Sequence, residues 1–242
     1  MEPVEAVSGD RVSGDPVSGD PVALGVQVGV DIGQKIDPTA VVVIELQRRG
    51  YTWEQRPHGR VQVGGEVHFV ARVVQRLALG TTYPAVARRL SEVDRRLRAM
   101  GHYAHFWVDA TGVGQPVVDL LSAAGMELTP VYLTGSDQAT KGERGELRLG
   151  KAVLVSRLQV LLQSERVHLP ATAEAGILAQ ELLNYEIRVN ENAAAQFGAF
   201  KVGSHDDLAT ALGLACWEEA GWGKSGVIPP VDVIEEGECA WW

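Results

Sequence analysis

Four aspartates stand where an element of the chain ends or begins, and they are its strongest candidates for chemistry. Asp31 closes the apolar stretch GVQVGVDI, Asp109 closes HFWVD, and Asp206 and Asp207 precede LATALGLA. Because sites of α/β proteins lie at strand ends, these carboxylates can converge on one point. A cluster of oxygen ligands without cysteine selects Mg²⁺ or Mn²⁺ over zinc. We therefore predict that all four are catalytic metal ligands holding two ions, an arrangement suited to attack of water on a phosphodiester.

Each acid also has a structural alternative. Asp31 fits a turn after a strand, and Asp109 fits an N-cap or Asx-turn before the GVG segment, whose free N–H groups could instead hold a phosphate. The segment SHDD fits a capping box, with Ser204 as the N-cap and Asp207 three residues into the helix. An acidic first turn is also favoured by the helix dipole, although that explains one acid better than an adjacent pair.

Composition bounds the class of protein. The chain has 242 residues, 45% of them hydrophobic, which suits one soluble globular domain with tails. Cys216 and Cys239 are the only cysteines, so a disulfide framework and a cysteine-rich zinc site are excluded, and a reducing, cytoplasmic compartment is expected. No apolar run has the roughly 20 residues that a membrane-spanning helix needs. The net charge of −9 argues against a basic protein that coats nucleic acid.

Two tails account for most of that charge. Residues 1–22 repeat the unit VSGD three times and read as a flexible acidic tail, and residues 223–242 form a second acidic tail ending in two tryptophans. Between them, residues 23–222 are predicted to form one α/β domain with a mixed sheet flanked by helices. The predicted strands are 25–32, 39–47, 60–74, 105–110 and 128–133, with a hairpin-like connection between the first two. Helices are predicted within 83–100, 171–188 and 206–220, after a turn in 112–125, and in 151–170, where the helix runs into a short extended piece.

A set of motifs resembles the nuclease domain of phage large terminase subunits. These motifs are GVDIGQKIDPTAVVVIE, WVDATGVGQPVVDLL, KAVLVSRLQVLLQSERVHLP, LAQELLNYE and GSHDDLATALGLA, in this order over residues 25–218. The resemblance implies a ribonuclease-H-like fold, related to Holliday-junction resolvases, and an endonuclease that cuts concatemeric DNA during genome packaging. It also implies double-stranded DNA as a partner, with a separate motor ATPase, small terminase subunit or portal protein, in the cytoplasm of the host cell.

The resemblance assigns further residues. The acidic triad of the family falls on Asp31, Asp109 and the HDD pair, with Asp207 as the direct ligand and Asp206 close by. Asp37 corresponds to an auxiliary acid near the metals, or else to a turn residue before Pro38. His205 either orients the attacking water or caps the last helix. A basic, hairpin-like segment matches a region expected to face DNA, and its candidate DNA-binding residues are Lys141, Arg144, Arg148 and Lys151.

One departure from the family keeps other functions open. Large terminase subunits carry a motor ATPase with a GxxxxGK[ST] loop, and this sequence has no such loop. The chain is therefore expected to be part of a split terminase, a fragment or a stand-alone relative. The alternatives are a resolvase-like or other stand-alone ribonuclease-H-like nuclease, a non-cutting DNA-packaging partner, and an ATP-binding protein of the actin-like or sugar-kinase-like kind.

Overall fold

The structure is a computed structural model that describes residues 20–33, 37–57, 59–112, 114–184, 186–189, 195–198 and 206–219. Most of the VSGD tail and the whole C-terminal tail lie outside these residues. The helices are α1 Tyr83–Ala99, α2 Gln115–Ala123, α3 Lys151–Gln163, α4 Ala173–Asn184 and α5 Asp207–Ala215. The strands are β1 Val22–Asp31, β2 Ala40–Arg56, β3 Gly59–Arg76, β4 Ala104–Asp109, β5 Leu128–Thr134, β6 Ala139–Lys141, β7 Leu147–Gly150, β8 Val167–His168, β9 Glu186–Val189 and β10 Ala195–Gly198.

Eight strands form one mixed sheet in the order β6-β7-β5-β4-β1-β2-β3-β8. β1, β2 and β3 form an antiparallel meander, and β4, β5 and β7 run parallel to β1. The predicted α/β class, the mixed sheet and the hairpin between the first two strands are confirmed. β1 lies in the middle of the sheet, and its residues from Gly25 to Val30 are buried.

Helices cover both faces of the sheet. One core contains Val26, Val28 and Val30 of β1 together with apolar residues of α1 and α2. The opposite face carries α3, α4 and α5, which pack on β2 and β3 through a second core that includes Leu178 and Leu212. The alternate β1 residues, Gln27, Gly29 and Asp31, therefore point towards the side of α5.

Several predicted boundaries are corrected by the structure. β2 runs to Arg56, well beyond the predicted end at residue 47, and β3 is slightly longer than predicted, because the two strands pair with each other from Ala40↔Arg76 to Arg56↔Gly59, beyond the end of β1. The predicted helix 171–188 ends at Asn184 and is followed by the strand pair β9–β10, which the sequence did not reveal. The last helix ends at Ala215 rather than at residue 220. No helix of the described segments has the length and apolar character needed to cross a membrane.

Candidate metal centre

The sheet brings Asp31 and Asp109 to the same edge. β1 and β4 are parallel neighbours, and Val30 lies opposite Val108 in their register. Asp31 follows Val30 and Asp109 follows Val108, so both carboxylates lie at the carboxyl edge of the sheet. Trp107, two residues before Asp109, belongs to the core on the side of α3 and α5, so Asp109 and Asp31 also share a face.

A glycine lets the last helix lie directly on β1. A Cβ atom placed on Gly29 would lie 1.9 Å from the carbonyl oxygen of Ala211 and 2.5 Å from the backbone nitrogen of Ala215. Only a residue without a side chain fits under α5 at this point. Because Asp207 lies one helical turn before Ala211, this close approach places the first turn of α5 beside Asp31.

The start of α5 is not the predicted capping box. The helix begins at Asp207, its N-cap residue is Asp206, and Asp206 makes no side-chain capping hydrogen bond. Asp207 is thus the first helical residue, not the third, and Ser204 lies outside the described residues. The carboxylate of Asp206 instead accepts a hydrogen bond from Lys151 Nζ at 2.8 Å. The Asp206 carboxylate, which could have capped α5, is therefore bonded to the charged Lys151 of α3 instead.

Glu181 of α4 caps α5 from outside, and sequence reasoning missed it. Its Oε2 accepts a hydrogen bond from the backbone N–H of Ala209, the third residue of α5, at 2.9 Å. Its Oε1 accepts a hydrogen bond from Arg76 Nη2, and the same Arg76 nitrogen lies 3.7 Å from Asp207 Oδ2. One signal was present in the sequence, since Glu181 continues the buried helix row Ala175 and Leu178 as an acid among apolar residues.

The four aspartates Asp31, Asp109, Asp206 and Asp207, called here the acidic cluster, interact electrostatically. Loss of hydration raises the pKa of Asp31 well above its usual value, and the charges of Asp109, Asp207 and Asp206 raise it further, while Lys151 opposes them. Burial likewise raises the pKa of Asp109, although hydrogen bonds with Thr111 and the charge of Lys151 lower it. Negative charge is therefore costly at this edge, as expected where a cation is to be held.

Burial raises the pKa of Glu181 to about 7, with opposing contributions from its hydrogen bond with Ala209 and from Arg76. The charges of Asp207 and Asp206 raise it further, so Glu181 belongs to the same electrostatic system as the acidic cluster.

The donor set fits a hard divalent cation in chemistry and charge. It consists of carboxylate oxygens; Lys151 donates a hydrogen bond to Asp206, and Arg76 lies beside Asp207. Within the described segments, no group of three Asp, Glu, His or Cys side chains is already arranged to hold one ion. An ion bound at this edge would therefore need these acids to move from the positions described.

The structural alternatives at Asp109 and Asp31 coexist with this arrangement. The backbone N–H of Thr111 donates to Asp109 Oδ1 at 2.8 Å, which is the predicted Asx-turn. After Asp31 the chain turns back at Gly33, where a Cβ atom would lie 2.1 Å from the carbonyl oxygen of Asp37. Asp37 is thus close to the end of β1 through its backbone. His205 lies outside the described residues.

The predicted DNA-facing segment is a hairpin, as expected from its sequence. β6 pairs antiparallel with β7, and Lys141, Arg144 and Arg148 are exposed. Lys141 Nζ lies 3.6 Å from a carboxylate oxygen of Glu218. β7 runs parallel to β5 and leads at Gly150 directly into Lys151, so the hairpin adjoins the acidic cluster. Lys151 itself is half-buried within the acidic cluster rather than exposed on the hairpin.

Comparison with solved structures identifies the same architecture elsewhere. The large terminase nuclease of the thermophilic phage G20c with bound cobalt is 20% identical, with a TM-score of 0.54, and 82% of each chain is covered. The magnesium-bound form of that nuclease is 18% identical over 84% of each chain, with a TM-score of 0.53. The large terminase nuclease domain of Thermus phage P74-26 is 19% identical over 84% of this chain and 82% of its own, with a TM-score of 0.52.

At these identities the likeness is one of fold, and it confirms the predicted α/β fold with a mixed sheet flanked by helices, which this chain shares with terminase nuclease domains. No protein-family model matches the sequence. The comparison with curated proteins gives no match either.

Proposed function

We propose that this chain is a metal-dependent endonuclease of the phage terminase type, which hydrolyses phosphodiester bonds of double-stranded DNA. The observation that carries the proposal is the convergence of Asp31, Asp109, Asp206 and Asp207 at one sheet edge, where burial and then the neighbouring carboxylates raise the pKa of Asp31. The fold is shared with nuclease domains that were solved with bound cobalt and magnesium, which supports Mg²⁺ or Mn²⁺ as the cofactor.

In this proposal the acidic cluster holds two ions, with Asp31 and Asp109 from the strands and Asp207 from the helix as ligands. Bound divalent ions supply an activated water and stabilise the charge on the leaving oxygen. Lys151 holds Asp206 by its hydrogen bond and so orients the N-terminal side of α5. Asp37 and His205 remain proposed auxiliary residues, Asp37 near the end of β1 and His205 next to Asp206 in the sequence.

The hairpin β6–β7 is proposed to position the DNA backbone. Arg144 and Arg148 are exposed on this hairpin, whose strand β7 leads directly into Lys151. Such side chains suit contacts with DNA phosphates, which are made without preference for sequence. Lys141 contributes to the same positive surface. We further propose that the natural substrate is concatemeric DNA in the host cytoplasm, with a separate motor ATPase, small terminase subunit or portal protein as partners.

The test is cleavage of supercoiled plasmid by the purified chain in Mg²⁺, in Mn²⁺ and in EDTA. We expect nicked and linear DNA with either metal and none in EDTA. Asp109→Asn should reduce the rate at least about 100-fold, since a ligand and a charge are lost. Asp119→Asn is the matched control, because Asp119 is an exposed acid on α2 that bonds only Gln115 among the described contacts.

Two results would contradict the proposal. Cleavage by Asp109→Asn at the wild-type rate would show that the acidic cluster is not the active site. DNA binding without cleavage in either metal would instead favour a non-cutting packaging partner, and binding of ATP measured by calorimetry would favour the nucleotide-binding alternative.

A further inference from the structure

The N-terminus of α5 depends on a side chain from another helix. The first N–H groups of a helix have no partner within it, and a buried helix start needs acceptors for them. All nine residues of α5 are buried, and its N-cap residue Asp206 supplies no side-chain acceptor. The acceptor for Ala209 N–H is Glu181 Oε2, at 2.9 Å, from α4.

The same carboxylate recruits a cation next to Asp207. Arg76, the last residue of β3, donates from Nη2 to Glu181 Oε1. That nitrogen is also 3.7 Å from Asp207 Oδ2, so one guanidinium lies between the two acids. Glu181 is buried at 6% exposure and Arg76 is mostly buried, which holds both groups in place. β3, α4 and α5 are thereby joined at the residue that starts the last helix.

A capping role alone does not explain the choice of residue. A serine or threonine at the N-cap position satisfies a helix N–H without adding a charge. Glu181 brings a further carboxylate into the neighbourhood of Asp206 and Asp207, which is unfavourable unless a cation accompanies it. Arg76 is that cation, and it contacts Asp207 as well. The pair therefore links the cap of the helix to the orientation of its first acid.

We propose that Glu181 and Arg76 are positioning residues, which fix the start of α5 and the carboxylate of Asp207 for a divalent cation. The inference rests on the proposed function, because it takes Asp207 as a metal ligand. Neither residue is assigned as a ligand itself. Both residues would act on the ion through Asp207, not by contacting it. Loss of residues that support a metal ligand in this way typically weakens metal binding by about 10–100-fold.

The experiment is a titration of the full chain with Mn²⁺, followed by calorimetry and by the electron paramagnetic resonance spectrum of the ion. Glu181→Ala should raise the Kd for Mn²⁺ by about 10–100-fold. Glu181→Gln should raise it less, because an amide oxygen still accepts the Ala209 N–H while the ion pair with Arg76 is lost. Arg76→Gln should resemble Glu181→Gln and alter the Mn²⁺ spectrum in the same way.

The matched control is Glu45→Gln. Glu45 is also buried and paired with an arginine of β3, with its Oε2 2.7 Å from Arg72 Nη2, but it does not contact α5 through any described hydrogen bond or ion pair. This variant should lose stability, seen as a lower Tm, and keep the Kd for Mn²⁺ within about twofold of wild type. If the ion pair of Glu181 contributed only to stability, Glu181→Gln and Glu45→Gln would both lower the Tm and would both leave the Kd for Mn²⁺ unchanged.

The outcomes separate the two proposals. Wild-type Mn²⁺ affinity in Glu181→Gln and Arg76→Gln would overturn the positioning role and leave the metal site intact. Failure of the wild-type chain itself to bind Mn²⁺ would overturn the proposed metal site, and the positioning role with it. Where circular dichroism shows that Glu181→Ala is unfolded, the two glutamine variants decide.

Discussion

Replacing Gly29 with alanine tests whether the approach of α5 to β1 creates the candidate site. The added Cβ would lie 1.9 Å from the carbonyl oxygen of Ala211, and an ordinary contact needs about 3.4 Å. The atoms it meets belong to the backbone of α5, so no side-chain rotation can relieve the contact. The helix must therefore withdraw by about 1.5 Å, the difference between these two distances.

A shift of that size is large for a metal site. Ligand distances are held to about 0.2 Å, and a misplacement of about 1 Å can cost a factor of about 100 in rate. Because Asp207 is one turn from Ala211, we expect Gly29→Ala to weaken Mn²⁺ binding and to slow plasmid cleavage by about 100-fold. Overpacking of this kind typically costs about 1–3 kcal/mol, so the Tm should fall by roughly 2–12 °C.

The assays are Mn²⁺ calorimetry, plasmid nicking and thermal unfolding of the same preparations. Gly176→Ala is the control, because Gly176 is an exposed residue of α4 whose added Cβ meets nothing within 4 Å. That variant should keep wild-type binding and cleavage, with stability unchanged or raised by up to about 1 kcal/mol from helix propensity. Wild-type Tm, Mn²⁺ affinity and cleavage in Gly29→Ala would refute the claim that this contact positions Asp207.

Three further predictions follow from the charges. Asp31→Asn should raise the Tm in EDTA at pH 7, because ionising a carboxyl whose pKa is raised by burial and by Asp109 costs the folded state free energy; an unchanged or lower Tm would contradict this. Burial and the charge of Lys141 lower the pKa of His105 to about 4, below its ordinary 6.5. Between pH 6.5 and about pH 4 the unfolded chain therefore binds more protons than the folded chain, and stability is lost as the pH falls through this range. Up to roughly 3 kcal/mol should disappear in that window, and His105→Gln should flatten this part of a urea-unfolding pH profile. Arg148→Ala should weaken DNA binding equally for different sequences and reduce the salt slope of log K by about 1, whereas a sequence-dependent loss would indicate base contacts.

Local patterns were sufficient to predict the parts of the site that depend on single elements. Asp31 and Asp109 each follow an apolar strand, and a strand end fixes the edge at which a side chain emerges. The pair Asp206 and Asp207 precedes an apolar helix, so its place at a helix start was also predictable. The order of the main strands and helices followed from apolar periodicity for the same reason.

The parts that failed depend on residues distant in sequence. The predicted capping box required a local acceptor, but the acceptor is Glu181 on another helix, and Asp206 bonds to Lys151 instead. Arg76 ends a strand that appeared to stop earlier, because the extra length of β2 and β3 comes from their pairing with each other. No periodicity within one segment contains this information.

The contact between Gly29 and α5 also has a consequence for the time at which the molecule becomes active. It joins the first strand of the sheet to the last described helix, a pairing between residues far apart in sequence that is slow to form. During synthesis, Asp31 and Asp109 leave the ribosome long before Asp207 does. A growing chain therefore has an incomplete set of acids until α5 emerges and docks, so the proposed DNA-cutting activity would begin only after the whole described domain has been made.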